Sequence, residues 1–296
     1  MTSAFTTAAT VDDALAALAT GARPVAGGTD LVVGDRQGKA PLPDALVAIH
    51  RLAELDGIEE TDSGLRLGAL ATHAEIAAHP VVRERLTALA DASAIVGSHA
   101  TRAHGTLGGN LMNASPAMET GGPLVCLDAS VELRSASDSR TVGVQELFTG
   151  PGTTVAGEDE LLVAVHVPPV GVGTGSAYVR LEYRRQMEIA VVGATAVLTL
   201  DGDEVTAARI ATTALAPTIR RVPEAEAVLV GTAARASDVE AAARAAAEAA
   251  SPIPDVRASA RYRRAMAAVI ARRAIHAALT RARGDRVPIP ASGSTT

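Results

Sequence analysis

The chain has 296 residues, enough to bury a sizeable core and to hold two or three subdomains, and although 48% of them are hydrophobic, no run approaches the ~20 apolar residues needed to cross a bilayer. A formal net charge of −6 gives no reason to expect nucleic acid as a partner. The one cysteine, Cys126, rules out an intramolecular disulfide and an iron–sulfur cluster ligated by this chain alone.

The N-terminal stretch MTSAFTTAATVDD lacks a charged n-region and an apolar h-region, so the expectation is a soluble, cytoplasmic chain without a signal peptide or membrane span. Lys39 is the only lysine, which reads as codon bias and not as a site. The seven histidines do not fall into a zinc pattern, and His99 and His104 read as loop residues. No Gly-x-Ser-x-Gly elbow occurs, so a serine hydrolase is unsupported.

In chain order, Thr10-x-x-Asp13 predicts a capped helix carrying Val11, Leu15 and Leu18 and ended by Gly21. Arg23 to Ala26 predicts a short strand, Thr29 to Gly34 a short helix, and Ala45 to His50 a second strand. Ile58–Glu60 and Leu65–Leu67 flank Asp62-Ser63-Gly64 as a hairpin. Thr72–Ala78 and Val81–Ala92 predict helices split by Pro80. Leu124–Leu127, Val131–Arg134 and Thr141–Val144 read as short strands or apolar turns, and Leu161–Val167 as a strand ending at two prolines.

The run GVGTGS at Gly171–Ser176 reads as a linker. Tyr178–Tyr183, Ala190–Leu200 and Val205–Ala214 then predict an antiparallel sheet with a tight turn at Asp201-Gly202. Ser237-x-x-Glu240 predicts a capping box ahead of an alanine-rich helix, and Ser259–Arg283 a long amphipathic helix ended by Gly284. Strands followed by helices give an α+β class. The expected divisions are 1–55, 56–175 and 176–284, with a loose tail over 285–296.

Two glycine pairs stand out. Val25-Ala26-Gly27-Gly28-Thr29-Asp30-Leu31 places one between a predicted strand and helix, where unpaired helix N–H groups favour an anion. Thr106-Leu107-Gly108-Gly109-Asn110 is a second stretch of the same character. In both, glycine lets backbone approach a ligand and threonine adds a hydroxyl. Either alone is better explained by a tight turn; together, each after an apolar run, they suggest one diphosphate held from two sides. Neither is the Rossmann fingerprint, because G-x-G-x-x-G is missing.

Six ordered segments carry a resemblance to a known family. They are AGGTDL at Ala26–Leu31, TLGGN at Thr106–Asn110, Ser115-Pro116-Ala117, Gly150-Pro151-Gly152 with Asp159-Glu160-Leu161-Leu162, Arg184-Arg185 before Ile189-Ala190, and Asp255-Val256-Arg257-Ala258-Ser259 with Tyr262-Arg263-Arg264. Together, from about Phe5 to about Arg283, the chain resembles the FAD-binding medium subunit of the molybdenum hydroxylases, the carbon monoxide dehydrogenase and xanthine dehydrogenase group.

The resemblance implies a PCMH-type FAD-binding fold of two N-terminal α/β subdomains plus a C-terminal domain of antiparallel sheet and helices. It implies non-covalent FAD held by the two glycine stretches, with Glu119, Leu162 and Arg185 as further cofactor-binding positions and no metal. It also implies partners, an iron–sulfur small subunit with [2Fe–2S] clusters and a molybdopterin large subunit, assembled as a dimer of heterotrimers. Glu119 and Glu188 stand where the family more often has Asp, and Glu182 where many members carry Lys. The leading expectation is an oxidoreductase subunit that passes electrons from partner iron–sulfur clusters to an external acceptor. Two others stay open at this point: a self-contained flavin oxidase or dehydrogenase of the same fold, and a flavin-free assembly scaffold.

Overall fold

A computed structural model describes residues 4–38 and 40–291. Its first sheet is parallel, with spatial order β1-β3-β2. Strand β1 (Ala4–Thr7), helix α1 (Val11–Ala19), strand β2 (Arg23–Val25), helix α2 (Leu31–Arg36) and strand β3 (Ala45–Ala48) follow one another. The Thr10 hydroxyl accepts the Asp13 N–H at 3.1 Å and the Asp13 carboxylate accepts the Thr10 N–H at 2.9 Å, a closed capping box. Val11, Leu15 and Leu18 then pack with Val47 and Ile49. Helix α2 starts at Leu31, two residues later than expected, because Thr29 and Asp30 are used in the turn.

The second sheet holds β4 (Ile58–Thr61), β5 (Gly64–Gly68), β6 (Ser130–Arg134), β7 (Ser139–Gly143) and β10 (Leu161–Val167), in the antiparallel order β4-β5-β10-β6-β7. Strands β8 (Phe148–Gly150) and β9 (Thr153–Thr154) form a small ribbon beside it. Six short helices lie between β5 and β6: α3 (His73–Ala78), α4 (Pro80–Arg85), α5 (Thr87–Ile95), α6 (His99–His104), α7 (Leu107–Met112) and α8 (Gly121–Cys126); α9 (Val144–Leu147) follows β7.

Three expectations fail in this region. The helix expected over 81–92 breaks at Leu86 (φ −115°, ψ 47°), where Thr87 and Ala88 turn aside to hydrogen-bond Ser176. His99 and His104 lie on a helix and not in a loop, because Ser98 caps it by accepting the Thr101 N–H. Leu124–Leu127 is mostly helix; a four-residue apolar run carries no period that separates strand from helix.

The third sheet is antiparallel, β11 (Thr174–Leu181), β12 (Val192–Asp201), β13 (Glu204–Thr213) and β14 (Arg220–Arg221) in that order, covered by α10 (Pro223–Leu229), α11 (Ala236–Glu248) and α12 (Ala260–Ala282). The expected linker at 171–176 is half strand. Gly173 turns with φ +75°, and Gly175 brings β11 against α12 so closely that a Cβ there would lie 2.2 Å from the Ala278 carbonyl oxygen. Helix α11 is capped by Asp238, which accepts the Arg235 N–H, and not by the Ser237–Glu240 pair. The tail is not loose over 287–291: Arg281 donates to the Val287 and Pro288 carbonyls, and the Ala291 N–H to Asp91. Residues 292–296 lie outside the described residues.

Candidate functional site

The two glycine stretches meet. The Thr106 segment is not a loop but the start of α7, and it is sewn to the edge left by β5 and α3. Leu107 N–H donates to the Ala71 carbonyl and Gly108 N–H to the Ala69 carbonyl, both at 2.9 Å, and Gly105 accepts the His73 N–H. Thr106 caps α7 by accepting the Gly109 N–H at 3.1 Å. The expectation that Gly108 and Gly109 offer backbone N–H groups to a ligand is therefore corrected: both donors are already engaged. What remains on this side is the Thr106 hydroxyl hydrogen and the Asn110 side-chain amide, whose oxygen accepts from Thr120 at 2.6 Å.

The other stretch keeps its donors. Among the described residues, the N–H groups of Gly27, Gly28 and Thr29 make no hydrogen bond within the chain. Gly28 has φ +66°, which aims successive N–H groups to one side of the turn. Gly27 is there for a different reason: a Cβ would lie 1.8 Å from the His104 carbonyl oxygen, so only glycine lets this turn rest on the end of α6. Gly108 likewise lies against Ala69, where a Cβ would come within 2.8 Å of backbone and side chain. Gly109 faces outward, and a Cβ there would meet only the Thr106 Oγ1, at 3.0 Å.

Between them runs a cleft of about 440 Å³ whose walls include Ala26, Gly27, His50, Thr72, His104 and Thr106. Of the donor-bearing residues Gly27 and Thr106 line this cleft, whose walls also carry Asp56 and Glu75, the latter bonded to Thr72; the three unpartnered N–H groups, the hydroxyl hydrogen and the primary amide are donors of the kind a diphosphate takes. Val25 ends β2 behind this turn, Asp30 stands at the N-cap position of α2 without a capping bond from its side chain, and Leu31 is the first residue of the helix. Leu107 is buried in the core.

Three expected positions lie apart from the cleft walls. Leu162 is buried in β10, paired with Leu133. Arg185 is exposed. Glu119 is buried in an ion cluster, where Arg180 bonds both it and Glu182. Burial pushes the Glu119 carboxyl up to about 7, against the opposing pull of Arg180. Glu188 is bonded through its carbonyl to Arg180 and paired through its side chain with Arg184.

Sequence reasoning missed Arg180, the one charged residue of β11, and His73, the first residue of α3. His73 is buried, its Nδ1 has no partner among the described residues, and burial with the nearby Arg102 holds its pKa down to about 4. A depressed folded pKa contributes stability that is present above the unfolded value of about 6.5 and lost as pH falls through about 4. Replacing His73 with Gln is expected to flatten the fall in melting temperature over that window; an unchanged slope would show that His73 is not its source.

Comparison with known proteins gives two family matches that cover most of the chain. Residues 1–170 match the FAD binding domain in molybdopterin dehydrogenase, and residues 177–278 the CO dehydrogenase flavoprotein C-terminal domain. The carbon monoxide dehydrogenase medium chain of Hydrogenophaga pseudoflava is 34% identical over 239 residues, 81% of this chain and 83% of that one. The 6-hydroxypseudooxynicotine dehydrogenase complex subunit alpha of Paenarthrobacter nicotinovorans is 33% identical over 285 residues, 94% and 95% of the two chains. Among solved structures, carbon monoxide dehydrogenase from Hydrogenophaga pseudoflava superposes with a TM-score of 0.91 at 32% identity, over 95% of this chain and 98% of that one.

Proposed function

The chain belongs to the FAD-binding medium-subunit family of the molybdenum hydroxylases, and from that premise we propose that it is the electron-transfer flavoprotein of a multi-subunit dehydrogenase. It is an oxidoreductase subunit. The observation that carries the reading is the asymmetric cradle: free N–H donors at Gly27–Thr29 on one wall, and the Thr106 hydroxyl with the Asn110 amide on the other.

In this reading the Gly27, Gly28 and Thr29 N–H groups hold phosphate oxygens, Thr106 donates its hydroxyl hydrogen to the same group, and Asn110 donates its amide hydrogens at the far side of the turn. Gly27 fixes the distance between the walls by resting on His104. Bound FAD supplies the redox chemistry; the chain binds it and sets its orientation and surroundings. Residues 1–55 and 56–175 form the two walls and 176–284 the third side. The partners are an iron–sulfur chain and a molybdopterin chain in a dimer of heterotrimers, located in the cytoplasm. No helix among the described residues is long and apolar enough to cross a membrane.

The test is made on purified protein. Acid or heat should release FAD into the supernatant, and flavin retained on the precipitated polypeptide would defeat the non-covalent assignment. Under anaerobic conditions dithionite should bleach the flavin of the isolated chain, whereas candidate organic substrates should not until the partner chains are added. Fast bleaching by a substrate without partners would make the chain a self-contained oxidase.

A further inference from the structure

Arg102 is a buried guanidinium without a counter-charge. It lies on α6, is 6% exposed, and pairs with no carboxylate among the described residues. The other buried arginines differ: Arg180 bonds Glu119 and Glu182, and Arg263 bonds Asp255. Arg102 has only neutral acceptors. Its Nη1 donates to the Val96 carbonyl at 2.9 Å and its Nη2 to His99 Nδ1 at 3.1 Å. Burying a cation in this way opposes folding, so the fold by itself gives no reason for it.

Positive charge accumulates around this residue. Burial and then the charge of nearby Arg180 pull the Arg102 pKa down. Glu119, bonded to Arg180, is pushed up to about 7 by burial, so near neutral pH part of its negative charge is gone. Two guanidiniums thus stand against Glu182 and a partly protonated Glu119. The cluster is short of negative charge and favours an anion.

The Arg102 side chain runs back along α6, toward Val96 and His99 at the start of the helix. The cradle lies at the other end, where the His104 carbonyl meets Gly27 and Thr106 follows. Six helical residues separate the two ends by about 9 Å. The Arg102 charge also reaches His73, which flanks Gly105 together with Thr29. A dinucleotide held by its diphosphate in the cradle reaches the start of α6 only with one of its two ends. The adenosine end is neutral in both redox states. The flavin ring is neutral when oxidised. On taking up two electrons and one proton it binds the proton at N5 and carries a negative charge over N1 and the C2 carbonyl.

We propose that Arg102 faces the flavin ring of bound FAD and stabilises the negative charge that the ring gains on reduction. The proposal rests on the flavoprotein reading and deepens it, by naming a residue that sets the cofactor's reduction potential. A cation beside that charge favours the reduced form over the oxidised one and keeps N1 unprotonated. The electrons come from the partner chains in the complex and from dithionite in the test. A contact to the diphosphate would act differently. That group has the same charge in both redox states, so the contact would tighten oxidised and reduced FAD equally and leave the potential unchanged.

The experiment uses the FAD-loaded subunit and its Arg102→Gln and Arg102→Lys variants. A dye-equilibrated anaerobic titration gives the midpoint potential, and fluorescence gives the Kd of oxidised FAD. Melts of the flavin-free chains control for folding. Arg102→Gln should weaken reduced FAD by about tenfold or more relative to oxidised FAD. Each tenfold lowers a two-electron midpoint by about 30 mV. Arg102→Lys, which keeps the charge, should recover most of that shift.

An unchanged midpoint in Arg102→Gln, or equal weakening of both redox states, would overturn the proposal. The wild type gives a second reading that needs no variant. Its reduced flavin should stay unprotonated at N1, by absorbance, at pH values where free reduced flavin takes up that proton. Protonation in step with free flavin would overturn the proposal even if Arg102→Gln bound no FAD. A wild-type chain that takes up no FAD would sink the flavoprotein reading itself, whereas FAD held at a potential indifferent to Arg102 would sink only the role of this residue.

Discussion

Gly27→Val is expected to lose FAD and to melt below flavin-free wild type, whereas Gly109→Val is expected to lose FAD and to melt with it. At Gly27 the added Cβ falls 1.8 Å from a backbone oxygen, so either the turn or the end of α6 gives way. Overpacking of this kind costs about 1–3 kcal/mol, and it moves one wall of the cradle as well. At Gly109 the Cβ meets only the Thr106 oxygen, so the valine methyl groups screen that hydroxyl while the fold stays in place. FAD at a hundred times its Kd stabilises by about 2.7 kcal/mol, which both variants forgo. Flavin absorbance per chain and thermal melts with and without added FAD separate the two. Full flavin content in both would remove the cradle from the binding site. Gly108→Val does not serve as a ligand-site test, because its Cβ would strike Ala69 inside the core.

A second large effect is expected far from the cradle. Asp91 in α5 is fully buried. It accepts two bonds from Arg281 (2.6 and 3.0 Å), one from the Tyr178 N–H and one from the Ala291 N–H. Four segments meet on one carboxylate: α5, β11, α12 and the end of the described chain. Burial raises the Asp91 pKa, and Arg281 with the two N–H groups opposes that rise. Arg281→Met leaves the carboxylate buried without its counter-charge, at a cost of about 3–5 kcal/mol. The loss should shrink on acidification, because protonation removes the stranded charge. It should also shrink in the double variant with Asp91→Asn. Chemical denaturation measures both, and a loss under about 1 kcal/mol in Arg281→Met would show that the pair is not what holds these segments together.

What was legible in the sequence follows from what is local. Thr10 and Asp13 close their capping box, Asp201-Gly202 turns the β12–β13 hairpin, and Ser259 caps α12, each within four residues. The two glycine stretches were legible as a pair, but the division of labour between them was not. Gly27 and Gly108 are needed because of His104 and Ala69, each more than thirty residues away. The same distance hides Arg180 and Glu119, 61 residues apart, whose burial no pattern of spacing announces. The short helices α6 and α8 escaped because six residues are too few for a helical period to emerge from an alanine- or glycine-rich run.

Strand β10 lies between β5 and β6 in the second sheet, although it follows both in the chain. The hairpins β4–β5 and β6–β7 have no direct pairing with each other and are joined only by this late arrival. During synthesis, more than ninety residues follow β5 before Leu161 emerges, and until then each hairpin presents an open edge. The order of translation thus sets a vulnerable interval: a nascent chain stalled ahead of Leu161 carries two unsatisfied ladders and the unfinished core beneath them, a substrate for chaperones and a template for self-association.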